Sequence, residues 1–286
     1  MMYSFRGGKM LYKPSEVNLH THSFYCRHGK GTIAQFVDQA IDDGLKLLGF
    51  SEHCPLPDRE YQKGNRMDYE ELPAYESDVR SQMNRKDIKV LLGAECDWLY
   101  DEESFYRDEL LGARGYDYLI CSVHHMIDPG DGKEKFLQYL TRMPVGHIIQ
   151  YVDMYTDALR SGMFLFGCHP DLFLAAHRRW DAEAKAASCD IIQCAIETDT
   201  PLEINDNGLR KKPVETPTGI RQPYPVREFW EMARDMGVQI VTNSDAHRPK
   251  DLSAHNTNAT AFAKELGIRF CGWEIDGNTI RCVAQE

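Results

Sequence analysis

Hydrophobic and polar positions follow two alternating patterns along the 286-residue chain. Short, nearly continuous apolar runs, typical of strands buried on both faces, alternate with longer stretches of helical periodicity. This alternation indicates repeated βα units and a mainly parallel sheet. The predicted strands cover residues 17–20, 47–52, 90–95, 118–123, 164–168, 202–205 and 238–243.

Helices are predicted between these strands. Thr32 and Gln35 have the spacing of a capping box, the apolar residues that follow recur on one face, and Gly44 closes this first helix. Later helices are predicted over 72–84, 104–114, 145–160, 181–198 and 225–236. The breaks at 55–65 and 207–225 are long and rich in Gly, Pro and charge, and such loops usually build the active site of an α/β barrel.

The length fits one α/β domain, which we expect over residues 17–286 after a short leader, 1–16. The leader lacks the apolar core and cleavage site of a secretory signal. No apolar run reaches the roughly 20 residues that a membrane-spanning helix requires. We therefore expect a cytoplasmic protein with no membrane partner, and the pattern indicates no particular oligomeric state.

Composition narrows the function classes. Nine scattered cysteines without a CxxC pair favour reduced, mostly buried thiols over a disulfide framework or a zinc ribbon. The net charge of −11 argues against a large nucleic-acid footprint, because affinity for phosphate backbones comes mainly from clustered Lys and Arg. A small-molecule substrate is favoured.

Potential metal ligands follow one predicted strand after another. The first motif holds His20 and His22, which point to the same side of an extended chain and can reach one ion. Such a pair in isolation is as often two surface or core-edge histidines. The other strand ends carry further candidates, namely Glu52 and His53, Glu95, His124 and His125, His169 and Asp171, and Asp245 and His247.

Each of these residues has an ordinary alternative role, since a buried Glu can satisfy a hydrogen-bond network and a histidine can simply pack. Their joint placement argues otherwise, because catalytic groups of parallel barrels gather at the carboxyl ends of the strands. Only one of the adjacent His124 and His125 should face the metals, and we expect it to be His124. By contrast, His147, His177 and His255 are interpreted as surface or packing residues.

Taken in order, the HxH, distal His, SEH, GxE, HH, GHPD and SDAH elements resemble the PHP (polymerase and histidinol phosphatase) family, in its histidinol-phosphate phosphatase branch. The resemblance implies a distorted (β/α)7 TIM-like barrel with a trinuclear site of zinc, iron or manganese at the carboxyl face of its strands. It implies that His20, His22, Glu95 and Asp245 bind one ion, with Glu95 bridging to a second. His124 and His169 would complete the second site, and the third would use His28, His53 and His247.

This ligand set suggests a mechanism. Seven neutral imidazoles and two carboxylates around three divalent ions leave a formal charge of +4, which suits a phosphate monoester dianion. The expected nucleophile is a metal-bridging hydroxide. Glu95, Asp245 and His247 are therefore the predicted catalytic residues, the last two being candidates for relaying a proton to the leaving group.

Substrate recognition is predicted in the loop that begins at Glu203. The resembling phosphatases carry a similar E-x-N-x-x-G-L-R pattern whose basic residues bind phosphate, and here it ends at Arg210. Arg210 is the first choice for a bidentate phosphate contact, Arg221 the second, and Asn205 belongs to the same predicted site. The ordinary alternative is a solvent-exposed run of charge.

The resemblance implies hydrolysis of L-histidinol phosphate within histidine biosynthesis. A second hypothesis is a PHP-type nuclease or nucleotide phosphoesterase, which should expose a basic track beside the site. A third is a metal-binding module without turnover, as happens when a complete ligand set leaves no open coordination position.

Overall fold

A mixed α/β arrangement surrounds one curled, mainly parallel sheet. The computed structural model describes residues 9–57, 64–127, 134–136 and 143–284. Its strands are β1 Met10–Tyr12, β2 Val17–Asn18, β3 Leu47–His53, β4 Lys89–Asp97, β5 Tyr118–Ser122, β6 His125–Ile127, β7 Glu134–Phe136, β8 Leu202–Asn205, β9 Val214–Thr216, β10 Gly219–Arg221, β11 Ile240–Asn243, β12 Gly272–Asp276 and β13 Thr279–Val283.

Parallel pairing follows the order β2-β3-β4-β5, and β8 pairs in parallel with β11. Single bridges extend this sheet, joining Thr21 to Ala246, and Gly167 both to Cys121 and to Leu202. The predicted strand 164–168 is therefore represented by one bridging residue rather than by a regular strand. All these parallel strands direct their carboxyl ends to one edge.

Seven α-helices connect the strands, α1 Ile33–Asp42, α2 Leu72–Gln82, α3 Val145–Arg160, α4 Ala182–Glu197, α5 Asp206–Arg210, α6 Arg227–Met236 and α7 Asn258–Glu265, counted within the described ranges. The capping box predicted at Thr32 and Gln35 is present. Gly237 ends α6 with a φ of 83°, a left-handed conformation that glycine adopts without strain. Over Phe105–Ala113 the predicted helix has π-type hydrogen bonding.

The core has an outer and an inner part. The outer part lies between the sheet and the helices and includes Phe36, Phe50 and Trp230, all fully buried. The inner part includes Leu19, Leu47, Leu91 and Phe166. Burying one such side chain stabilises the fold by about 1.5–3 kcal/mol, so this apolar packing holds the strand ends in place.

Glycines allow one close contact inside the curled sheet. The Tyr118 hydroxyl donates a hydrogen bond to the Leu19 carbonyl at 2.8 Å. A Cβ at Gly49 would lie 2.1 Å from that hydroxyl oxygen, and one at Gly93 would lie 2.5 Å from the same ring. The ring therefore requires glycine at both positions, and Gly93 is the glycine of the GxE motif.

An antiparallel sheet of three strands, in the order β1-β12-β13, packs at the opposite end of the parallel strands. Residues 10–12 lie inside the predicted leader but form β1, with Met10 opposite Ile275. Part of the expected leader is thus structural, because the free edge of β12 supplies backbone hydrogen-bond partners. Within the described part of the chain, no helix has the length and apolarity to cross a bilayer.

Candidate metal centre

The carboxyl edge of the curled sheet brings together side chains from strands far apart in sequence. Glu95 is the residue that most of them approach, and its two carboxylate oxygens face different histidines. Its Oε1 lies 2.9 Å from His169 Nε2 and 3.5 Å from His124 Nε2. This half of the site therefore offers one carboxylate oxygen and two imidazole nitrogens.

The second oxygen of Glu95 faces a different set of histidines. Its Oε2 lies 2.7 Å from His53 Nδ1, 3.4 Å from His22 Nε2 and 3.6 Å from His20 Nε2. A carboxylate with a separate set of nitrogens at each oxygen has the geometry needed to bridge two cations.

Asp245 completes the group around the first histidine motif. Its Oδ1 lies 3.3 Å from His22 Nε2 and 3.8 Å from His20 Nε2. The other oxygen accepts hydrogen bonds from Asn205 at 3.2 Å and Asn207 at 3.0 Å, which fix the carboxylate. One oxygen of Asp245 thus remains directed at the two histidines.

His28 and His247 form a third group at the more exposed side. Their Nε2 atoms are 2.9 Å apart, a separation that a shared proton or a shared cation explains. The Nδ1 atom of His28 lies 2.7 Å from the Cys26 carbonyl, and His247 Nδ1 lies 3.1 Å from the Asp245 carbonyl. Both rings are therefore held with Nε2 facing the other ring, and the His53 ring stacks near His28.

Unpartnered polar atoms test whether a cation fits. His20 Nε2, His22 Nε2 and Asp245 Oδ1 are buried, have no hydrogen-bond partner among the described residues, and lie within 4.8 Å of one another. An ion with ligand distances of about 2.0–2.1 Å separates neighbouring tetrahedral ligands by roughly 3.3 Å. Buried polar atoms without partners are costly, so their convergence at this spacing fits a divalent cation.

The pKa shifts follow from this crowding. Burial by itself would raise the pKa of Glu95, but His124, His53 and the other imidazoles hold it well below its usual range. Asp245 is likewise buried, and His20 and His22 hold its pKa well below the ordinary value. Both carboxylates are thus anionic, as metal ligands must be.

Backbone conformation at the site is also unusual. His169 and Asp245 have positive φ angles of 32° and 47°. Residues other than glycine rarely adopt this region, and such conformations cluster at functional sites. In both cases the turn follows the end of a strand segment and directs the side chain toward the histidines.

Glu203 supports the predicted ligands through hydrogen bonds, a role that the sequence analysis does not predict. It is fully buried and accepts hydrogen bonds from His20 Nδ1 at 3.0 Å, Asn205 at 2.9 Å, Asn243 at 2.9 Å and the His169 amide at 3.3 Å. Donation from Nδ1 leaves the other ring nitrogen of His20 free to bind a cation, as carboxylate–histidine pairs do in metal sites. The sequence feature that points to this role is the position of Glu203 in the E-x-N pattern at the end of a strand.

Asp97 has the corresponding role on the other side. It accepts from the His124 amide at 2.7 Å and from His124 Nδ1 at 3.0 Å, and it pairs with Arg66 at 2.9 Å. His125 Nδ1 lies 3.3 Å from the second Asp97 oxygen. The structure therefore places His124 beside Glu95 and His125 behind Asp97.

A cavity of about 390 Å³ opens over the predicted ligands. Arg66, Arg210, Lys211 and Arg248 bring positive charge to its lining, and Tyr224 forms part of the wall. Arg210 is oriented by Asp206 at 2.7 Å and by Asp251 at 3.5 Å. Arg210 and Lys211 belong to the loop in which the sequence predicts substrate recognition, whereas the sequence pattern assigns no role to Arg66 or Arg248.

The other two predicted substrate contacts have different surroundings. Arg221 is not among the residues lining this cavity, and its guanidinium donates to the carbonyls of Gln222, Pro223 and Leu174 at 2.8–2.9 Å. Asn205 is buried beneath the cavity, where it caps α5 and braces Asp245. Arg221 thus lies outside the cavity lining, and Asn205 directs its amide group to partners beneath the cavity.

The fold and the site together define an α/β protein with a cluster of histidine and carboxylate side chains, able to hold a divalent metal ion, at the carboxyl edge of a curled parallel sheet. The sequence model of the PHP domain family matches residues 18–207 of this chain. The chain belongs to the PHP domain family.

Known proteins similar to this chain agree with that assignment. It is 30% identical over 254 residues to a "probable histidinol-phosphatase" of Deinococcus radiodurans, covering 87% of this chain and 93% of the relative. A Schizosaccharomyces pombe protein of the same name is 24% identical over 273 residues, covering 88% of this chain and 87% of the relative. The solved structure of a histidinol phosphate phosphatase of Lactococcus lactis, complexed with zinc, L-histidinol and phosphate, superposes with a TM-score of 0.67 at 19% identity. The superposition covers 93% of this chain and 98% of that protein, which shows that the two share a fold.

Proposed function

We propose that this chain is a metal-dependent phosphatase that hydrolyses L-histidinol phosphate to L-histidinol and phosphate. The observation that carries the proposal is the geometry of Glu95, whose two oxygens face separate groups of histidines inside a cavity lined with positive charge. The relatives named histidinol-phosphatase in bacteria and yeast supply the substrate.

The metal centre is proposed to hold three divalent ions. His20, His22, Glu95 and Asp245 would hold the first, Glu95, His124 and His169 the second, and His28, His53 and His247 the third. Ions bound there would neutralise the phosphate dianion and acidify a water molecule. The convergence of His20, His22 and Asp245 supports the first of these sites. The assignment of the remaining ligands to the second and third sites rests on the family resemblance.

The chain's own residues contribute orientation and charge. Arg210 faces the cavity with its guanidinium held by two carboxylates, which preorganises it for a phosphoryl oxygen. Asp245 and His247 lie next to the reacting centre and are proposed to pass a proton toward the leaving alkoxide. If Asp245→Asn kept its full metal content and full activity, that acid–base role would be excluded.

The test is phosphate release by the purified protein after its metals are removed with a chelator. Zinc, iron(II) and manganese are added back separately, and L-histidinol phosphate, a dinucleotide and single-stranded DNA are offered in parallel. We expect metal-dependent release from L-histidinol phosphate. Exclusive turnover of a nucleic-acid substrate would favour the nuclease alternative instead, and metal binding without any turnover would indicate an inert module.

Variants make the same test specific for the site. Glu95→Gln removes one negative charge from the bridging position and should lower kcat by at least about 100-fold, since bridging and orientation both depend on it. His177→Gln is the matched control, because His177 pairs with Asp181 at 2.9 Å and does not line the metal cavity. Equal activity of the two variants would contradict the proposed centre.

A further inference from the structure

Two of the nine cysteines are both half-buried and adjacent to each other, at the end of the molecule opposite the metal centre. Six others are buried and Cys189 is exposed, whereas Cys271 and Cys282 have intermediate exposure. Cys271 immediately precedes β12, and Cys282 lies in β13. Thiols that are neighbours and also reachable from solvent are candidates for chemical modification.

The strand register places both sulfurs on one face. Trp273 of β12 lies opposite Cys282, and Cys271 is two residues before Trp273, so all three side chains point to the same side. The right-handed twist of an antiparallel pair brings diagonal neighbours of this kind toward each other. Cys271 and Cys282 both pack against the inner core that contains Trp273, which brings the two thiols next to each other.

The surrounding packing keeps this pair in place. Cys271, Ile280 and Cys282 pack against the inner core, where Trp273 contacts the Phe166 ring with centroids 5.9 Å apart. The backbone amide of Cys271 donates to the Ile240 carbonyl at 2.8 Å. Both strands are therefore anchored, and the sulfurs need little movement to meet.

We propose that Cys271 and Cys282 form a redox-active dithiol that a low-molecular-weight disulfide converts to an intramolecular disulfide. The Cys271 thiolate attacks one sulfur of the small disulfide, forms a mixed disulfide and releases the first small thiolate. Cys282 then loses its proton to solvent and attacks the Cys271 sulfur, releasing the second small thiolate. The protein loses two electrons and two protons, and the small disulfide is reduced to two thiols.

The order of attack follows from the mutual influence of the two neighbouring thiols. The Cys282 thiol, as a donor toward Cys271, lowers the pKa of Cys271, whereas the same interaction raises the pKa of Cys282. At neutral pH Cys271 therefore has the larger thiolate fraction of the two. Cys271 is thus the attacking group and Cys282 the resolving group.

The experiment treats the metal-loaded full-length protein with oxidised glutathione and maps its peptides by mass spectrometry. The wild type should lose two hydrogens in a crosslink between the 271 and 282 peptides, without accumulating a mixed disulfide at Cys271. Cys282→Ser should instead trap one glutathione per chain on Cys271. Cys271→Ser should give no such crosslink and should react more slowly at Cys282.

Cys189→Ser is the matched control, since it removes the exposed thiol and should leave the 271–282 crosslink intact. Glutathionylation of Cys189 without any 271–282 crosslink would overturn the proposal, and so would equal reactivity of Cys282 with and without Cys271. The readout is independent of phosphatase activity, so failure of the proposed function and failure of this inference give different results.

Discussion

Glu203 gives the sharpest prediction about how the metal centre is held. The substitution Glu203→Gln keeps the shape of the side chain but replaces one acceptor oxygen with an NH₂ donor. In the structure Oε1 faces His20 and Asn243, and Oε2 faces His20, Asn205 and the His169 amide. Whichever end becomes NH₂, at least two buried donors then face another donor.

The expected magnitude follows from those contacts. A buried donor left without an acceptor costs about 1–3 kcal/mol, and losing a carboxylate partner of a ligating histidine typically weakens metal binding about 10–100-fold. We therefore expect Glu203→Gln to bind metal about 10–100-fold more weakly, equivalent to about 1.4–2.7 kcal/mol. The loss should be greatest at the site that includes His20.

The assay is competition for zinc with a chromophoric chelator, combined with metal content after dialysis and urea unfolding of the metal-free protein. Glu197→Gln, at the exposed end of α4, is the matched control and should behave as the wild type. The unfolding curve separates a general loss of stability from a specific loss of affinity. Metal affinity within twofold of the wild type in a folded Glu203→Gln protein would refute the orienting role.

Three further predictions address other positions. Asp97→Asn should weaken metal binding about 10-fold, because it removes the acceptor that orients His124. His125→Gln should change metal binding much less, and equal losses in the two variants would contradict the placement of the two histidines. Arg210→Lys should raise KM for L-histidinol phosphate about 10-fold, because Arg210 lines the cavity. Arg221→Lys should leave KM within twofold, because Arg221 lies outside the lining, and should lower the unfolding free energy by about 1–3 kcal/mol through its lost carbonyl contacts. Burial lowers the pKa of His255 from 6.5 to about 4, so the unfolded chain binds a proton that the native state rejects, and stability falls as the pH drops from 6.5 toward 4. Urea titrations should show this contribution, up to ~3 kcal/mol, and a similar pH slope in His255→Gln would rule it out.

The sequence by itself determined the main architecture and the residues at its carboxyl edge. Apolar runs and helical periodicity report burial, which is a local property, and parallel strands necessarily bring their carboxyl ends to one edge. The structure accordingly brings Glu95, Asp245 and the predicted histidine ligands together. Their roles as ligands of particular ions stay predictions for the metal experiments.

Tertiary structure decided how those residues are held. His20 and Glu203 are 183 residues apart, and their hydrogen bond exists only because β2 and β8 lie on the two sides of β11 in the curled sheet. Likewise, Arg221 has a side chain suited to binding phosphate, but its guanidinium donates to backbone carbonyls, because the fold brings the Leu174 carbonyl within 2.8 Å. Periodicity encodes which face of an element is buried, whereas the partner of a buried polar group depends on which distant strand closes against it.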